Sequence, residues 1–95
     1  MDDSTYDRLC VELFDRLDEL LAEADAVGDY ENNGDICDIT LESGAKLIVN
    51  RQPPVKEIWL AAPSGGYHFR HADGQWRDTR DGAEFFARLA ECMAA

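Results

Sequence analysis

Basic residues are scarce. Nine Lys and Arg face twenty Asp and Glu, a net charge of −11. A field of that sign repels nucleic acid, and no basic groove with interleaved aromatics offsets it. No apolar run of about 18 residues occurs, so no membrane span is expected. The chain opens Met1-Asp2-Asp3, without the basic start of a secretory signal or mitochondrial transit peptide. Cysteine is limited to Cys10, Cys37 and Cys92, an odd number with no C-x-x-C pair, so reduced thiols in a cytoplasmic protein are expected. A nucleophile–base constellation, a phosphate loop and a buried acid pair are also missing, and an ordinary enzyme is not expected. His68 and His71 are three apart on a strand-like stretch and point to opposite faces, which argues against a shared metal site.

What is present reads as a folded chain. Hydrophobic residues make up 45% and aromatics 9% of 95 residues, enough for one domain spanning 1–95 with a modest core. The charge is uneven. Residues 1–35 hold twelve acids and two bases, whereas residues 36–95 hold eight acids and seven bases. The first third is therefore an anionic feature on a nearly neutral body, suited to metal cations or basic protein surfaces.

Leu9, Leu13, Leu17, Leu20, Leu21 and Ala24 recur at helical spacing, with Tyr6 one turn earlier. A first helix over about residues 4–25 follows, capped by Asp2, Asp3 or Ser4 and closed before Gly28. On its wheel Asp7, Asp18 and Asp25 share one outer stripe, and Glu12, Glu19 and Glu23 a second. The segments ICDITL, AKLIVN, KEIWLAA, YHFRH and QWRDT read as five antiparallel strands separated by turns. Asp29–Asp35 is a candidate short edge strand. RDGAEFFARLAECM returns to helical period, with Asp81 and Glu84 at capping-box spacing. Helix, meander, helix predicts an α+β two-layer sandwich with both helices on one face of the sheet. If Ile58 and Leu60 face the helices, Glu57, Trp59 and Ala61 face out, together with Lys46, Ile48 and Asn50. An outward Trp59 beside Ile48 is the kind of apolar island found at protein interfaces.

Four stretches, taken in order, resemble bacterial frataxins, the CyaY family. They are the acidic first helix, the N-R-Q-x-P turn at Asn50–Pro54, the I-W-L strand at Ile58–Leu60 and the P-S-G-G-Y-H-F hairpin at Pro63–Phe69. The likeness covers essentially the whole chain. It implies a frataxin-like fold and weak binding of Fe²⁺ or Fe³⁺ on an acidic ridge. It also implies docking on the cysteine desulfurase and its scaffold complex, with regulation of iron–sulfur cluster synthesis. Carried over by position, the ridge comprises Asp3, Asp7, Asp18, Glu19, Glu23, Asp25, Asp29 and Glu31. Partner contacts fall on Asn50, Trp59, Asp18, Glu19 and Glu23. The chain departs from the family's pattern at Asp7, where relatives often carry His, and at Ala22, which interrupts a second acidic pair.

The chemistry is compatible with that implication. Carboxylates are hard donors for hard cations, and acids strung along a surface supply few ligands per ion, so weak binding that extends to other divalent cations is expected. The crowding costs about 2–3 kcal/mol at low salt through like-charge pairs and through Glu23 and Asp25 at the helix C-terminus. Three readings follow: an iron-responsive regulatory adaptor, monomeric without iron; an iron store or ferroxidase scaffold acting through iron-driven oligomers; and an acidic interaction module with no metal role. Iron oxidation on the ridge would be incidental to binding.

Overall fold

The computed structural model describes residues 1–95. Helix α1 (Asp3–Glu23) begins where the Asp2 side chain accepts from Thr5 N–H at 2.8 Å. Its buried stripe is Tyr6, Cys10, Leu13, Phe14, Leu17 and Leu21. Leu9 and Leu20 are only half-buried. They flank the stripe on the side that meets the second helix, where Leu20 lies beside Leu89 and Met93 and Leu9 beside Phe86. The helix is shorter than its periodicity suggests. Ala24 turns to an extended conformation, and Val27 N–H closes a tight turn onto the Ala24 carbonyl at 3.1 Å. Gly28 is therefore not a helix stop. It sits in the next strand at a register break between Val27 and Asp29, where an added Cβ would lie 3.4 Å from the Thr40 carbonyl oxygen. Asp25 consequently lies in the turn after the helix and shares no helical stripe with Asp7 and Asp18.

Six antiparallel strands follow in sequential order: β1 (Val27–Asn32), β2 (Ile36–Leu41), β3 (Lys46–Gln52), β4 (Glu57–Ala62), β5 (Gly65–Ala72) and β6 (Gln75–Asp78). The edge strand anticipated at 29–35 is a full partner of β2, starting at Val27. The double proline does break the ladder. Pro53–Val55 forms a 3-10 turn, and Lys56 takes a left-handed conformation to re-enter the sheet. The β5–β6 turn needs positive φ at both Asp73 and Gly74, which those residue types tolerate best.

Helix α2 (Phe85–Ala94) starts five residues after Arg80, where the helical pattern begins. Glu84 itself is the N-cap, and its carboxylate accepts from Phe86 N–H at 2.8 Å and Ala87 N–H at 3.2 Å. Asp81, read as the cap from its spacing, instead accepts from Ala83 N–H and pairs with Arg88. Both helices lie on one face of the sheet, and the core is the single layer between them. Alternate strand residues Cys37, Ile39, Leu41, Leu47, Val49, Ile58, Leu60 and Phe69 meet the helix stripes there.

The three cysteines are free and buried. Burial pushes the Cys37 thiol up to about 12 and raises that of Cys10 as well, so neither is a ready nucleophile. The capping geometry makes a prediction. Glu84→Ala should cost about 0.5–2 kcal/mol in denaturant unfolding, with Glu84→Gln recovering part of it through its remaining acceptor. An unchanged midpoint for the alanine variant would refute the cap.

Candidate functional site: an acidic rim and an open sheet face

β1 is the outer edge of the sheet, and alternation sorts its side chains. Tyr30 and Asn32 lie opposite inward-facing Ile39 and Cys37, so they turn toward α1. The Tyr30 hydroxyl donates to the Asp18 carbonyl at 3.3 Å. The Asn32 amide donates to the Phe14 carbonyl and to Asp18 Oδ1, both at 2.9 Å. These bonds staple the edge strand to the helix. Asp29 and Glu31, opposite Thr40 and Asp38, take the other parity and face away from the helices. The acids expected to form one ridge therefore wrap around an edge, with the helix 1 acids on one side and the strand acids on the other.

The acids are not equivalent. Asp3 is held by Lys56 at 2.6 Å and Asp7 by Arg51 at 2.7 Å. Asp18 is engaged by Asn32, and Asp29 accepts from Tyr30 N–H at 2.9 Å. Glu19, Glu23, Asp25 and Glu31 are exposed. Sequence reasoning missed Asp38. It sits across the ladder from Glu31, pairs with Lys46 at 3.2 Å and, with Asp29, Tyr30, Glu31 and Thr40, lines a shallow depression of about 150 Å³. Its outward parity in ICDITL was legible, but its closeness to Glu31 depends on the β1–β2 register. No three His, Cys, Asp or Glu side chains converge as a ready ligand set. The donor set suits a hard cation held by a few oxygens and water, not a closed resident site.

The uncovered sheet face carries the other candidates. Asn50, Trp59 and His68 lie side by side on β3, β4 and β5. The Trp59 and His68 rings stack at 4.1 Å with an 8° interplanar angle. Ile48 and Ile36 are exposed beside them. His71 faces the other way and meets the edge of Trp76. Glu57 faces outward as expected, yet its side chain is only 7% exposed. It is covered by the groups it binds. Trp59 Nε1–H donates to Oε1 at 2.8 Å and Arg70 Nε–H donates to Oε2 at 2.7 Å. The Tyr6 hydroxyl donates to the Glu57 carbonyl at 2.7 Å and accepts from Gln52 N–H at 3.1 Å, tying α1 to the same strand.

Burial alone would push the Glu57 carboxyl up, but the bonds from Trp59 and Arg70 outweigh it and hold the group below its ordinary 4.5. The folded state therefore favours the ionised form more than the unfolded chain does. That stability is present above pH 4.5 and is lost as the pH falls through the lower folded value. Glu57→Gln should flatten the stability profile within that window. An acid limb identical to that of the parent would show that Glu57 does not contribute to it.

A sequence profile of the frataxin-like domain matches residues 1–95. The iron-sulfur cluster assembly protein CyaY of Paraburkholderia phymatum is 48% identical over 91 residues, covering 96% of this chain and 87% of that one. The protein of the same name from Burkholderia mallei is 57% identical over 67 residues, covering 70% of this chain and 62% of the relative. Among solved structures, frataxin from Psychromonas ingrahamii superposes with a TM-score of 0.86 at 38% identity, covering 96% of this chain and 87% of that one. Trimeric frataxin from Saccharomyces cerevisiae, complexed with ferrous iron, gives a TM-score of 0.71 at 31% identity, covering 96% and 81%. The two helices on one face of a meander sheet, the acidic rim and the whole-length match together make this chain a member of the frataxin family.

Proposed function

We propose that the protein is an iron-responsive regulatory adaptor of iron–sulfur cluster assembly in the bacterial cytoplasm. The observation that carries this reading is the rim of exposed carboxylates on both sides of the β1 edge, in a chain whose relatives are named for cluster assembly. Glu19, Glu23, Asp25, Asp29, Glu31 and Asp38 supply hard oxygen donors in an open arrangement, which suits weak and reversible Fe²⁺ or Fe³⁺ binding. Asp3 and Asp7 already neutralise Lys56 and Arg51, so iron there must displace an internal cation. The same anionic surface suits Arg and Lys on the cysteine desulfurase, while Asn50 and Trp59 offer the open face to its scaffold complex. Iron and a basic partner then draw on one set of carboxylates. Regulation by binding, with no catalytic step of its own, is the role this chemistry fits; ferroxidase activity would be incidental.

The iron-loaded trimer of the yeast relative favours a second reading, iron storage through oligomers. Sedimentation under excess iron separates the two, since the adaptor remains a monomer and the store assembles.

Three outcomes are expected. Iron titration followed by amide NMR should perturb Glu19, Glu23, Asp25, Asp29, Glu31 and Asp38 first, and Asp3 and Asp7 least; uniform or absent shifts would count against the rim. Charge reversal of Asp18, Glu19 and Glu23 to Lys should abolish desulfurase binding, and raising salt from about 0.05 M to about 0.5 M should weaken the parent complex about tenfold. The melting temperature of the free protein should rise with salt or divalent cations as the rim's self-repulsion is relieved. If it depends on neither, the acids are not repelling one another.

A further inference from the structure

Glu57 is an outward-facing carboxylate with almost no solvent contact. Burying an ionised carboxylate is costly unless it is paired and hydrogen-bonded, and an outward sheet position gives no structural reason to bury one. Its two oxygens are used separately. Oε1 holds the Trp59 indole N–H, with His68 Nδ1 4.0 Å away, and Oε2 holds Arg70 Nε–H. An indole on an open sheet face would otherwise sample several rotamers. Here its N–H is anchored at one end while the His68 ring lies flat against it.

Arg70 adds a second feature. It lies directly across the ladder from Arg77, and its ion pair with Glu57 offsets that like-charge opposition. Arg77 spends its donors on the Gly82 carbonyl and Gln75. Arg70 bonds Glu57 through Nε alone, and its side chain is 65% exposed. Its terminal nitrogens make no hydrogen bond within the chain and project beside the stacked rings, a geometry suited to a bidentate contact with an incoming carboxylate.

We propose that Glu57 is the positioning residue of the open face. Its buried carboxylate holds the Trp59–His68 plane beside the Arg70 fork, a contact that fits a protein partner presenting an apolar side chain next to a carboxylate. The inference rests on the reading that the open face meets a partner. It gives the protein two surfaces of opposite demand, a rim for cations and a corner for an acid.

The test uses the full chain and the purified desulfurase–scaffold complex as probe. Glu57→Ala should shift the Trp59 indole proton resonance and break the ring contacts to His68 in the free protein, and should weaken binding about tenfold. Glu57→Gln keeps an acceptor for the indole and should restore the ring pose. Arg70→Gln should leave the indole resonance in place and still weaken binding. Folding is checked by circular dichroism, and the Tyr6 bond uses the Glu57 backbone oxygen, which every variant retains. An unshifted indole and intact ring contacts in Glu57→Ala would overturn the positioning role. Full affinity in Arg70→Gln would remove the carboxylate from the partner's description. A lost ring pose with unchanged affinity in Glu57→Ala would keep the clamp and overturn the docking reading on which it rests.

Discussion

Only one face of the sheet is covered, and the rest of the molecule follows from that constraint. A strand alternates its side chains, so covering one face assigns every second residue to the core and every other to solvent. Leu47, Val49, Ile58, Leu60 and Phe69 take the first set, and Lys46, Ile48, Asn50, Trp59 and His68 take the second. A slip of one residue would bury Lys46 and His68 and expose the core. The same rule splits the acids of β1 from those of α1, because Asp29 and Glu31 share the parity of Asp38 and not that of Asn32. The rim is therefore a property of an edge strand, reached from both sides of the sheet.

Electrostatics then sorts the acids into two groups. Those nearest the start of α1 are closed internally by Lys56 and Arg51, which helps hold the helix to the β3–β4 connection beside the Tyr6 hydroxyl. Exposed pairs of this kind are individually weak, so the packing of Tyr6, Cys10, Phe14 and Leu17 must hold the helix in place. Toward the C-terminal end of α1 and along β1, the carboxylates Glu19, Glu23, Asp25 and Glu31 remain exposed. Self-repulsion is concentrated there, and the same place attracts a cation or a basic surface. The open face works differently. Its one buried carboxylate, Glu57, is used to orient neighbours, so the two surfaces use acids in opposite ways.

Much of this was legible in the chain. The helical spacing from Tyr6 to Leu21 and the strand alternation through Leu41, Val49 and Leu60 sufficed for the sandwich, because they report directly on burial. Boundaries were less legible. Gly28 looks like a helix stop but serves a strand bulge, and Glu84, not Asp81, caps α2, because local spacing does not reveal which acid reaches the free N–H groups. The acids of the rim could be named from the sequence, but their distribution over two sides could not. Asp38 beside Glu31, and the sharing of Glu57 between Trp59 and Arg70, depend on register and on side chains from different strands. Alternation shows which way a residue points, but not what lies across from it.

In the proposed adaptor, iron and a basic partner share the rim. The most direct test of that sharing is the affinity of the protein for the cysteine desulfurase measured across an iron titration at fixed ionic strength. Affinity should fall as iron occupies the rim and return when the iron is chelated. An affinity unchanged by iron at concentrations that saturate the rim by NMR would contradict it.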